Sequence, residues 1–474
     1  MFKEKEYHNL SEQLKKIGQQ QILDFYEQLN ESQKQNLLEQ IKKIDLSKIP
    51  EWVENYVKNP HSTEIPSNFE PAPAYPAQPD SEHREEFEKA GKLGTKLLKE
   101  GKVAAFVVAG GQGTRLGFDG PKGNFPISPI KNKTLFRIFG EIIAAASKKY
   151  NAPLPWYVMT SPLNHNPTVK SFEDNDYFGL EKENVFIFQQ GTLPNFDFDG
   201  NILLADKDKI AKSPDGHGGS LKALYDSGAV SDMHKRGIEY ISYFQVDNPL
   251  INIFCPLFIG LHAESNSEMS SRALVKSHPK EKVGNFCLVD GKMTVIEYSD
   301  LPDEYAEKRN DDGSLVFELG SIAIHIISRT FVEELNKDGF ALPIHRAVKK
   351  IPHIDSKGNH IKPEKPNGVK LETFVFDALP LTRNSIILKT IRQEEFAPVK
   401  NAEGDDSPAV TRKMMIERAA GWLEKAGVNI PRKDDGSVDC VIEIAPSFAL
   451  SAEDIVEKEN KLPDFKPGGE YYLE

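Results

Sequence analysis

The segment that most constrains the fold of this chain is an apolar run, residues 103–109 (VAAFVVA), that leads directly into a glycine-rich loop. A continuous apolar run of this length predicts a strand buried on both faces. The loop, residues 110–117, holds four glycines in eight residues, and glycine lets backbone N–H groups come close to an anion. Because Arg115 and Lys122 add positive charge, the segment predicts a buried strand that ends in a phosphate-binding loop.

This loop fits neither of the two common nucleotide-binding patterns. Leu116 stands where the dinucleotide-binding pattern GxGxxG has its third glycine, and Lys122 follows a proline, which excludes the pattern GxxxxGK[ST]. The missing glycine and the cationic end of the loop disfavour an oxidoreductase that binds NAD. The loop therefore predicts a different class of phosphorylated ligand.

Apolar runs alternate with amphipathic stretches from residue 103 to about residue 395. The alternation predicts an α/β fold with a doubly wound, mainly parallel central sheet. In such a sheet, ligands bind beyond the carboxyl ends of the strands, which is where the glycine-rich loop lies. The predicted strands are residues 103–109, 156–160, 185–188, 240–246, 273–276 and 386–392.

The two ends of the chain differ from this central part. Residues 5–45 have a helical apolar pattern, in which Asn30 and Gln33 resemble a capping box, and a further helix is predicted at 82–99. Six prolines within residues 59–80 predict an extended connection. A C-terminal helix is predicted at 408–426 and a strand at 441–444. We expect three parts: a helical N-terminal domain at 1–100, a catalytic domain at 101–395 and a small C-terminal domain at 396–474.

Composition excludes several classes of protein. A formal net charge of −12 argues against a nucleic-acid-binding protein, which needs a basic surface. The three cysteines, Cys255, Cys287 and Cys440, lack metal-ligand spacing and suit a reducing compartment. The first residues are too charged for a signal peptide, and no run approaches the ~18 apolar residues of a membrane span. We therefore expect a cytoplasmic protein without nucleic-acid or membrane partners.

The glycine-rich loop, with its Thr-Arg-Leu-Gly and Pro-Lys sequences, resembles that of the nucleotidyltransferases that make nucleotide sugars. More narrowly, it is similar to the eukaryotic-type UDP-sugar pyrophosphorylases, and most to the N-acetylglucosamine branch of that family. The resemblance extends in order over roughly residues 100–415. The other segments that carry it are residues 188–194 (FQQGTLP), 213–219 (SPDGHGG), 246–248 (VDN), 295–299 (VIEYS), 365–368 (KPNG), 372–377 (ETFVFD) and 396–401 (FAPVKN).

The resemblance implies a Rossmann-like fold of the nucleotide-diphospho-sugar transferase type and a specific reaction. An oxygen of a sugar 1-phosphate attacks the α-phosphorus of UTP, which releases pyrophosphate and forms a UDP-sugar. Both reactants are polyanions, so the reaction needs alignment and positive charge from the protein. The resemblance also implies Mg²⁺ as cofactor, with Asp247 as its ligand.

The resemblance implies a role for each residue at a matching position. Arg115 and Lys122 are the expected catalytic residues. The expected UTP-binding residues are Ala109, Gly110, Gly111, Gly113, Thr114, Gln190, Pro214, Gly216 and His217. The expected residues for the sugar phosphate are Asp247, Glu297, Ser321, Phe374, Phe376 and Lys400.

Purely structural roles remain alternatives at several of these positions. Asp247 could cap a turn at the end of a strand, and Gln190 could bond only to backbone. Phe374 and Phe376 could pack in a core, while Arg115, Lys122 and Lys400 could be solvated surface residues.

Two positions depart from the family, which usually has asparagine where this chain has His217 and Ser321. Because serine is shorter than asparagine, the identity of the sugar stays open. N-acetylglucosamine 1-phosphate is the first choice, and glucose or galactose 1-phosphate is the alternative. A non-catalytic nucleotide-sugar-binding protein is disfavoured because Arg115 and Lys122 are both present. We expect a monomer or a weak homo-oligomer.

Overall fold

A computed structural model describes residues 2–59, 68–458, 460 and 462–474. The chain divides into two compact units, each made of three segments. The first unit comprises residues 1–66, 190–220 and 342–377, and the second comprises residues 67–189, 221–341 and 378–474. The boundaries expected at residues 100 and 395 both fall inside the second unit, and the division into three domains stays a prediction.

Helices and strands alternate along most of the described chain. The α-helices are α1 (Phe2–Lys16), α2 (Glu31–Lys42), α3 (Ile49–Trp52), α4 (Arg84–Lys99), α5 (Leu135–Tyr150), α6 (His165–Asp174), α7 (Gly219–Asp226), α8 (Ala229–Arg236), α9 (Pro256–Glu264), α10 (Asp303–Ala306), α11 (Arg329–Asn336), α12 (Arg392–Glu395), α13 (Pro408–Lys425) and α14 (Ala452–Val456). The strands are β1 (Phe69–Pro71), β2 (Val103–Val108), β3 (Trp156–Thr160), β4 (Val185–Gln189), β5 (Thr192–Pro194), β6 (Phe196–Asp197), β7 (Leu204–Asp206), β8 (Lys209–Ile210), β9 (Lys212–Pro214), β10 (Tyr240–Gln245), β11 (Met269–Val275), β12 (Gly284–Val289), β13 (Lys292–Ile296), β14 (Leu319–Ser328), β15 (His345–Lys349), β16 (His353–Ile354), β17 (His360–Ile361), β18 (Gly368–Glu372), β19 (Ile387–Thr390), β20 (Val441–Ile444) and β21 (Glu470–Leu473).

The second unit is built around a ten-stranded sheet that confirms the predicted α/β fold class. Strands β10, β2, β3 and β4 are parallel neighbours, and β19 runs parallel to β11. The other half is antiparallel, because β14 pairs in that sense with β10, β11 and β12. The sequence did not predict β12, β13 or β14. The predicted parallel order therefore describes one half of the sheet.

Strand β2 is buried along its whole length, as its apolar sequence predicts. Its alternate side chains enter different packing groups on the two faces of the sheet. Val103, Ala105 and Val107 join the core around helix α5, whereas the ring of Phe106 contacts Phe188 and Tyr243. With both faces covered, β2 holds the start of the glycine-rich loop firmly in place.

Strand β11 begins four residues before the predicted start at residue 273. Ser270 and Ser271 interrupt the apolar pattern, which is why periodicity missed this part of the strand. Both serines are nevertheless buried, and each is hydrogen-bonded to a histidine ring, Ser270 to His262 and Ser271 to His325. The hydrogen bonds compensate for burying the hydroxyls.

The first unit joins the N-terminal helices to two later segments of the chain. Helix α2 begins with the predicted capping box of Asn30 and Gln33. Its buried side chains pack in one core with Phe196, Val369 and Leu371, from residues 190–220 and 342–377. The predicted helical stretch at 5–45 is therefore confirmed as α1, α2 and two short 3₁₀ turns between them.

The C-terminal predictions are also confirmed. Ser407 caps α13 by accepting a hydrogen bond from the N–H of Val410, and β20 occupies the predicted residues. The predicted connection at 59–80 is described only in part, since residues 60–67 lie outside the described residues. Within the described part of the chain, no helix combines the length and the apolar character needed to cross a membrane.

Candidate functional site

The glycine-rich loop is held in shape by hydrogen bonds to its carbonyl groups. The buried side chain of Asn164 donates to the carbonyls of Ala109 (2.8 Å) and Gly111 (3.2 Å), and the N–H of Lys122 also donates to Gly111 (3.0 Å). Because these carbonyl oxygens already accept hydrogen bonds from the protein, they do not need hydrogen-bond donors from a bound ligand. Asn164 was not predicted as a site residue, because its role depends on contacts 53 and 55 residues away in sequence.

Lys122 lies on a short 3₁₀ turn, Lys122–Asn124, that is packed tightly against helix α5. A Cβ added at Gly123 would lie only 2.1 Å from the ring of Phe136, so glycine is required at this close approach. The turn therefore takes its position from the hydrophobic core. Arg115 lies in a neighbouring 3₁₀ turn, Thr114–Leu116, where its side chain is exposed.

The structure brings together two residues predicted from separate motifs, Lys122 and Asp247. The Nζ of Lys122 is 3.7 Å from Oδ2 of Asp247, and the two side chains are only 15% and 19% exposed. The N–H of Val399 donates to the carbonyl of Asp247 (2.8 Å), which brings the next residue, Lys400, into the same region. Lys400 forms an ion pair with Asp406 at 3.4 Å. The second unit thus holds Lys122 beside Asp247 and Lys400 beside Asp406, with the two pairs joined through the backbone of Val399.

Asp247 is the only metal ligand that the sequence predicts. No group of three or more His, Cys, Asp or Glu side chains is arranged to hold a metal ion anywhere in the described residues. A single carboxylate nevertheless suits Mg²⁺, because that ion commonly takes one or two carboxylates and completes its octahedron with phosphate oxygens and water. The residues present therefore fit a magnesium ion that arrives with a phosphorylated ligand.

Glu297 and Ser321, both predicted to contact the sugar, converge at Gly284. Ser321 is paired with Gly284 in the sheet. A Cβ added at Gly284 would lie 2.5 Å from Cγ1 of Val295, 3.5 Å from Oε1 of Glu297 and 3.8 Å from Cβ of Ser321. A larger residue would therefore fill the space between these two side chains. Gly284 is a candidate site residue that the sequence did not indicate, since a lone glycine in a strand carries little signal.

In the first unit, the side chain of Gln190 has a defined orientation. Its Nε2 donates to Oδ1 of Asp215 (2.9 Å) and to the carbonyl of Gly216 (2.7 Å). Both partners are acceptors, so the opposite orientation of the amide would be repulsive. We expected Gln190 to offer a donor and an acceptor to the ligand, but both N–H groups are used internally. Only its oxygen is left to accept a hydrogen bond.

Gly216 and Gly218 allow the backbone of residues 215–218 to come very close to the backbone of Thr373. Gly216 has φ of +87°, and a Cβ there would lie 2.2 Å from the carbonyl oxygen of Thr373. Gly218 donates its N–H to the same carbonyl (2.9 Å), and the N–H of Thr373 donates to the carbonyl of Asp215 (2.8 Å). Residues 215–218 are therefore fixed against the segment that carries Phe374 and Phe376.

Four aromatic side chains, His217, His345, Phe374 and Phe376, form what we call the ring cluster. The centroid of Phe374 lies 5.4 Å from that of His217, with planes 21° apart, and Phe376 is tilted against both rings. Phe374 and Phe376 are partly exposed, whereas Val375 between them is fully buried. The valine therefore serves the core, and the two phenylalanines face away from it, which disfavours pure core packing.

His217 is a neutral side chain in this cluster. Burial lowers its pKa to about 4, an effect that the negative charges of Asp377 and Glu372 oppose only in part. The N–H of Val375 donates to its Nδ1 (3.1 Å). The ring proton must then be on Nε2, so His217 presents one hydrogen-bond donor.

Each unit thus brings its own group of predicted site residues together. A chain of direct contacts in the first unit links Gln190, Gly216, His217, Phe374 and Phe376. The loop residues, Lys122 and Asp247 form one group in the second unit, and Glu297 and Ser321 form another. Pro214 lies in β9, paired with Thr192 of β5. The ligand contacts themselves stay predictions.

Comparison with known proteins adds independent information. The sequence pattern of the family described as UTP–glucose-1-phosphate uridylyltransferase matches residues 53–465. The UDP-N-acetylhexosamine pyrophosphorylase-like protein 1 of Xenopus tropicalis is 38% identical over 389 residues, which are 78% of this chain and 76% of that protein. The UDP-N-acetylglucosamine pyrophosphorylase of Saccharomyces cerevisiae is 36% identical over 384 residues, 79% of each chain. The crystal structure of the uridine diphosphate N-acetylglucosamine pyrophosphorylase from Trypanosoma brucei matches with a TM-score of 0.80 and 26% identity, covering 99% of this chain and 98% of that one.

Proposed function

Because the chain belongs to the UTP–glucose-1-phosphate uridylyltransferase family, we propose that it is a uridylyltransferase that uses N-acetylglucosamine 1-phosphate. It joins this sugar phosphate to the UMP part of UTP, forming UDP-N-acetylglucosamine and pyrophosphate. The relatives named UDP-N-acetylglucosamine pyrophosphorylase support this choice of sugar. The observation that carries the proposal is the placement of Lys122 beside Asp247 at the end of a glycine-rich loop.

In the proposed reaction, a phosphate oxygen of the sugar phosphate forms a bond to the α-phosphorus of UTP. The bond from that phosphorus to the bridging oxygen breaks, and pyrophosphate leaves with the electron pair. Negative charge moves toward the leaving group, so positive groups near the α- and β-phosphates stabilise the transition state. Lys122 supplies such charge at the α-phosphate and Arg115 at the outer phosphates.

The separation of Lys122 and Asp247 suits this role. At 3.7 Å, with both side chains mostly buried, the Nζ of Lys122 lies beside the carboxylate of Asp247 without a short hydrogen bond to it, so its N–H groups can reach a phosphate. Asp247 would hold Mg²⁺ together with phosphate oxygens of the ligand. When bound, the ion would neutralise phosphate charge and orient the reacting groups.

Selection of the base follows from the orientation of Gln190. Its free oxygen can accept the N3–H of uracil, whereas cytosine has an unprotonated nitrogen at that position. Two acceptors would then face each other, which disfavours CTP. Backbone groups of Pro214 and Gly216 complete the proposed contact with uracil.

Recognition of the sugar is proposed to use two groups of residues. Glu297 accepts hydrogen bonds from sugar hydroxyls, and the partly exposed rings of Phe374 and Phe376 cover an apolar part of the sugar. Lys400 contacts the sugar phosphate. Ser321 is shorter than asparagine, and one neutral hydrogen bond is worth about 0.5–1.5 kcal/mol. We therefore expect a preference for N-acetylglucosamine with measurable use of related sugars.

A panel assay tests the proposal. Pyrophosphate release is measured with UTP, MgCl₂ and the 1-phosphates of N-acetylglucosamine, N-acetylgalactosamine, glucose and galactose. The highest kcat/KM is expected for N-acetylglucosamine 1-phosphate, and no release is expected without a sugar phosphate. A clear preference for glucose or galactose 1-phosphate would assign the alternative substrate, and no release with any sugar would reject the enzyme.

We also propose that the protein works in the cytoplasm as a monomer or weak homo-oligomer. Its three cysteines are free, which suits a reducing compartment. Cell fractionation and analytical ultracentrifugation test the two parts of this proposal separately.

A further inference from the structure

His345, at one end of the ring cluster, is held by a carboxylate. Its Nε2 lies 2.7 Å from Oδ2 of Asp377, so this nitrogen carries a proton and donates it to the carboxylate. Its ring is stacked on Phe374, with centroids 4.4 Å apart and planes at 23°. This is the shortest centroid distance within the ring cluster.

The fold places both members of the pair beside Phe374. His345 is the first residue of β15 and lies opposite Glu372 of β18. Phe374 follows that strand, and Asp377 lies in the 3₁₀ segment Val375–Leu381. His345 therefore connects Glu372, which precedes Phe374, with Asp377, which follows it: it is paired with the first in the sheet and hydrogen-bonded to the second. The bond between His345 and Asp377 restrains rotation of the His345 ring.

His217 is the other histidine of the ring cluster. The ring of His217 stacks on Phe374 with planes 21° apart, and the ring of His345 stacks on Phe374 with planes 23° apart. The N–H of Val375 holds Nδ1 of His217. His217, an expected UTP-binding residue, is thus held by the backbone of Val375 rather than through His345.

We propose that His345 is a positioning residue for the sugar phosphate, and that Asp377 holds it in place. His345 keeps Phe374 stacked, so that the partly exposed ring of Phe374 stays directed at the sugar. This inference rests on the proposed function, because that function assigns Phe374 and Phe376 to the sugar. The inference adds His345 and Asp377 to the proposed site as residues that act through Phe374 and do not contact the substrate themselves.

The exposure of the pair argues against a role in stability alone. The side chains of His345 and Asp377 are 32% and 17% exposed, whereas Val375 beside them is fully buried. A hydrogen-bonded pair with one partly exposed member contributes only modestly to the stability of a fold. Orientation is more sensitive, because a displacement of about 1 Å in a site can cost up to about 100-fold in rate.

The test compares steady-state kinetics of four single variants, the double variant His345→Ala/Asp377→Ala and one control variant with those of the wild type. His345→Ala removes the ring, His345→Phe keeps the stacking but loses the bond to Asp377, and Asp377→Ala removes the carboxylate. Asp377→Asn keeps an oxygen that can accept the same hydrogen bond. His353→Ala is the matched control, since His353 is a partly buried histidine of the same unit that bonds to the carbonyl of Ile351.

We expect His345→Ala and Asp377→Ala each to raise the KM for the sugar phosphate about tenfold, with the KM for UTP changed less than twofold. The double variant should be no worse than either single one, because both changes remove the same interaction. Asp377→Asn should recover most of the loss, and His345→Phe should fall between His345→Ala and the wild type. The control variant should behave like the wild type.

Thermal unfolding separates this result from a structural effect. An unchanged KM for the sugar phosphate in His345→Ala would overturn the inference. So would equal changes in both KM values that follow a loss of melting temperature, since that pattern marks a general defect. If the wild type itself releases no pyrophosphate, it is the proposed function that fails, and the positioning role fails with it.

Discussion

Lys122 is the residue whose loss should affect turnover most, because its charge lies where the transition state becomes more negative. Its side chain lies beside Asp247 and belongs to no core cluster of the described residues, whereas it is Gly123 that packs its turn against the core. We expect Lys122→Ala to lower kcat by roughly 10²–10³-fold with little change in melting temperature. Pyrophosphate release gives kcat, and Lys170→Ala, which changes an exposed lysine on α6, is the control. A variant that keeps most of the wild-type turnover would exclude Lys122 from the mechanism.

Gln190 leads to a second prediction at this scale, which concerns the nucleoside triphosphate. Its amide hydrogens are used by Asp215 and Gly216, so its oxygen requires a donor from the base. UTP supplies this donor and CTP does not, and sites built on hydrogen bonds can discriminate by about 10⁴-fold. We expect kcat/KM for CTP to be lower by that order, and Gln190→Ala to reduce the difference. Similar values for UTP and CTP in the wild type would refute the assignment.

At the scale of elements, the 3₁₀ turn Lys122–Asn124 connects the core of the second unit to the loop. Gly123 faces the ring of Phe136 in α5, with no room for a methyl group. We expect Gly123→Ala to push the turn off the helix and move Lys122 with it. Overpacking of this kind costs about 1–3 kcal/mol, so the melting temperature and kcat should fall together.

A matched change shows whether the position of the turn is the cause. Gly91 lies on α4, where an added Cβ meets no atom within 4 Å, so Gly91→Ala adds the same methyl group without a clash. It should keep the wild-type kcat and lose no stability. If Gly123→Ala loses stability but retains full kcat, the turn does not control the position of Lys122.

At the scale of the whole molecule, buried neutral histidines make stability depend on pH. His262 is fully buried and bonded to Ser270 and Ser328, and burial lowers its pKa to about 3. The unfolded chain takes up this proton near its ordinary pKa of about 6.5, while the folded chain does not. Stability is therefore lost as the pH falls below about 7, down to the folded pKa. Between pH 7 and pH 5 this one group should remove roughly 2 kcal/mol.

The comparison of the wild type with His262→Gln isolates this contribution. Urea unfolding is measured at both pH values, and the pH-dependent loss should be smaller in the variant by about 2 kcal/mol. The variant itself should be less stable at pH 7, because it leaves a buried hydroxyl without its partner. Equal pH dependence in both proteins would show that His262 takes up its proton in the folded state as readily as in the unfolded state.

The sequence by itself determined the features that depend on neighbouring residues. The apolar run of β2, the capping box of α2, the Ser407 cap of α13 and the glycine-rich loop are all local patterns, and the structure has each of them where it was predicted. Local patterns are readable because backbone capping and periodicity involve residues only a few positions apart.

Only the tertiary structure decided how distant segments meet. Asn164 bonds to the loop, Asp215 and Gly216 set the orientation of Gln190, and His345 reaches Asp377 across 32 positions. The N-terminal helices likewise share a core with residues 190–220 and 342–377, which no local pattern indicates. These contacts follow from strand pairing and core packing between segments far apart in the chain. Their geometry is set by the fold as a whole, and the residues involved carry no signal of it in their immediate sequence.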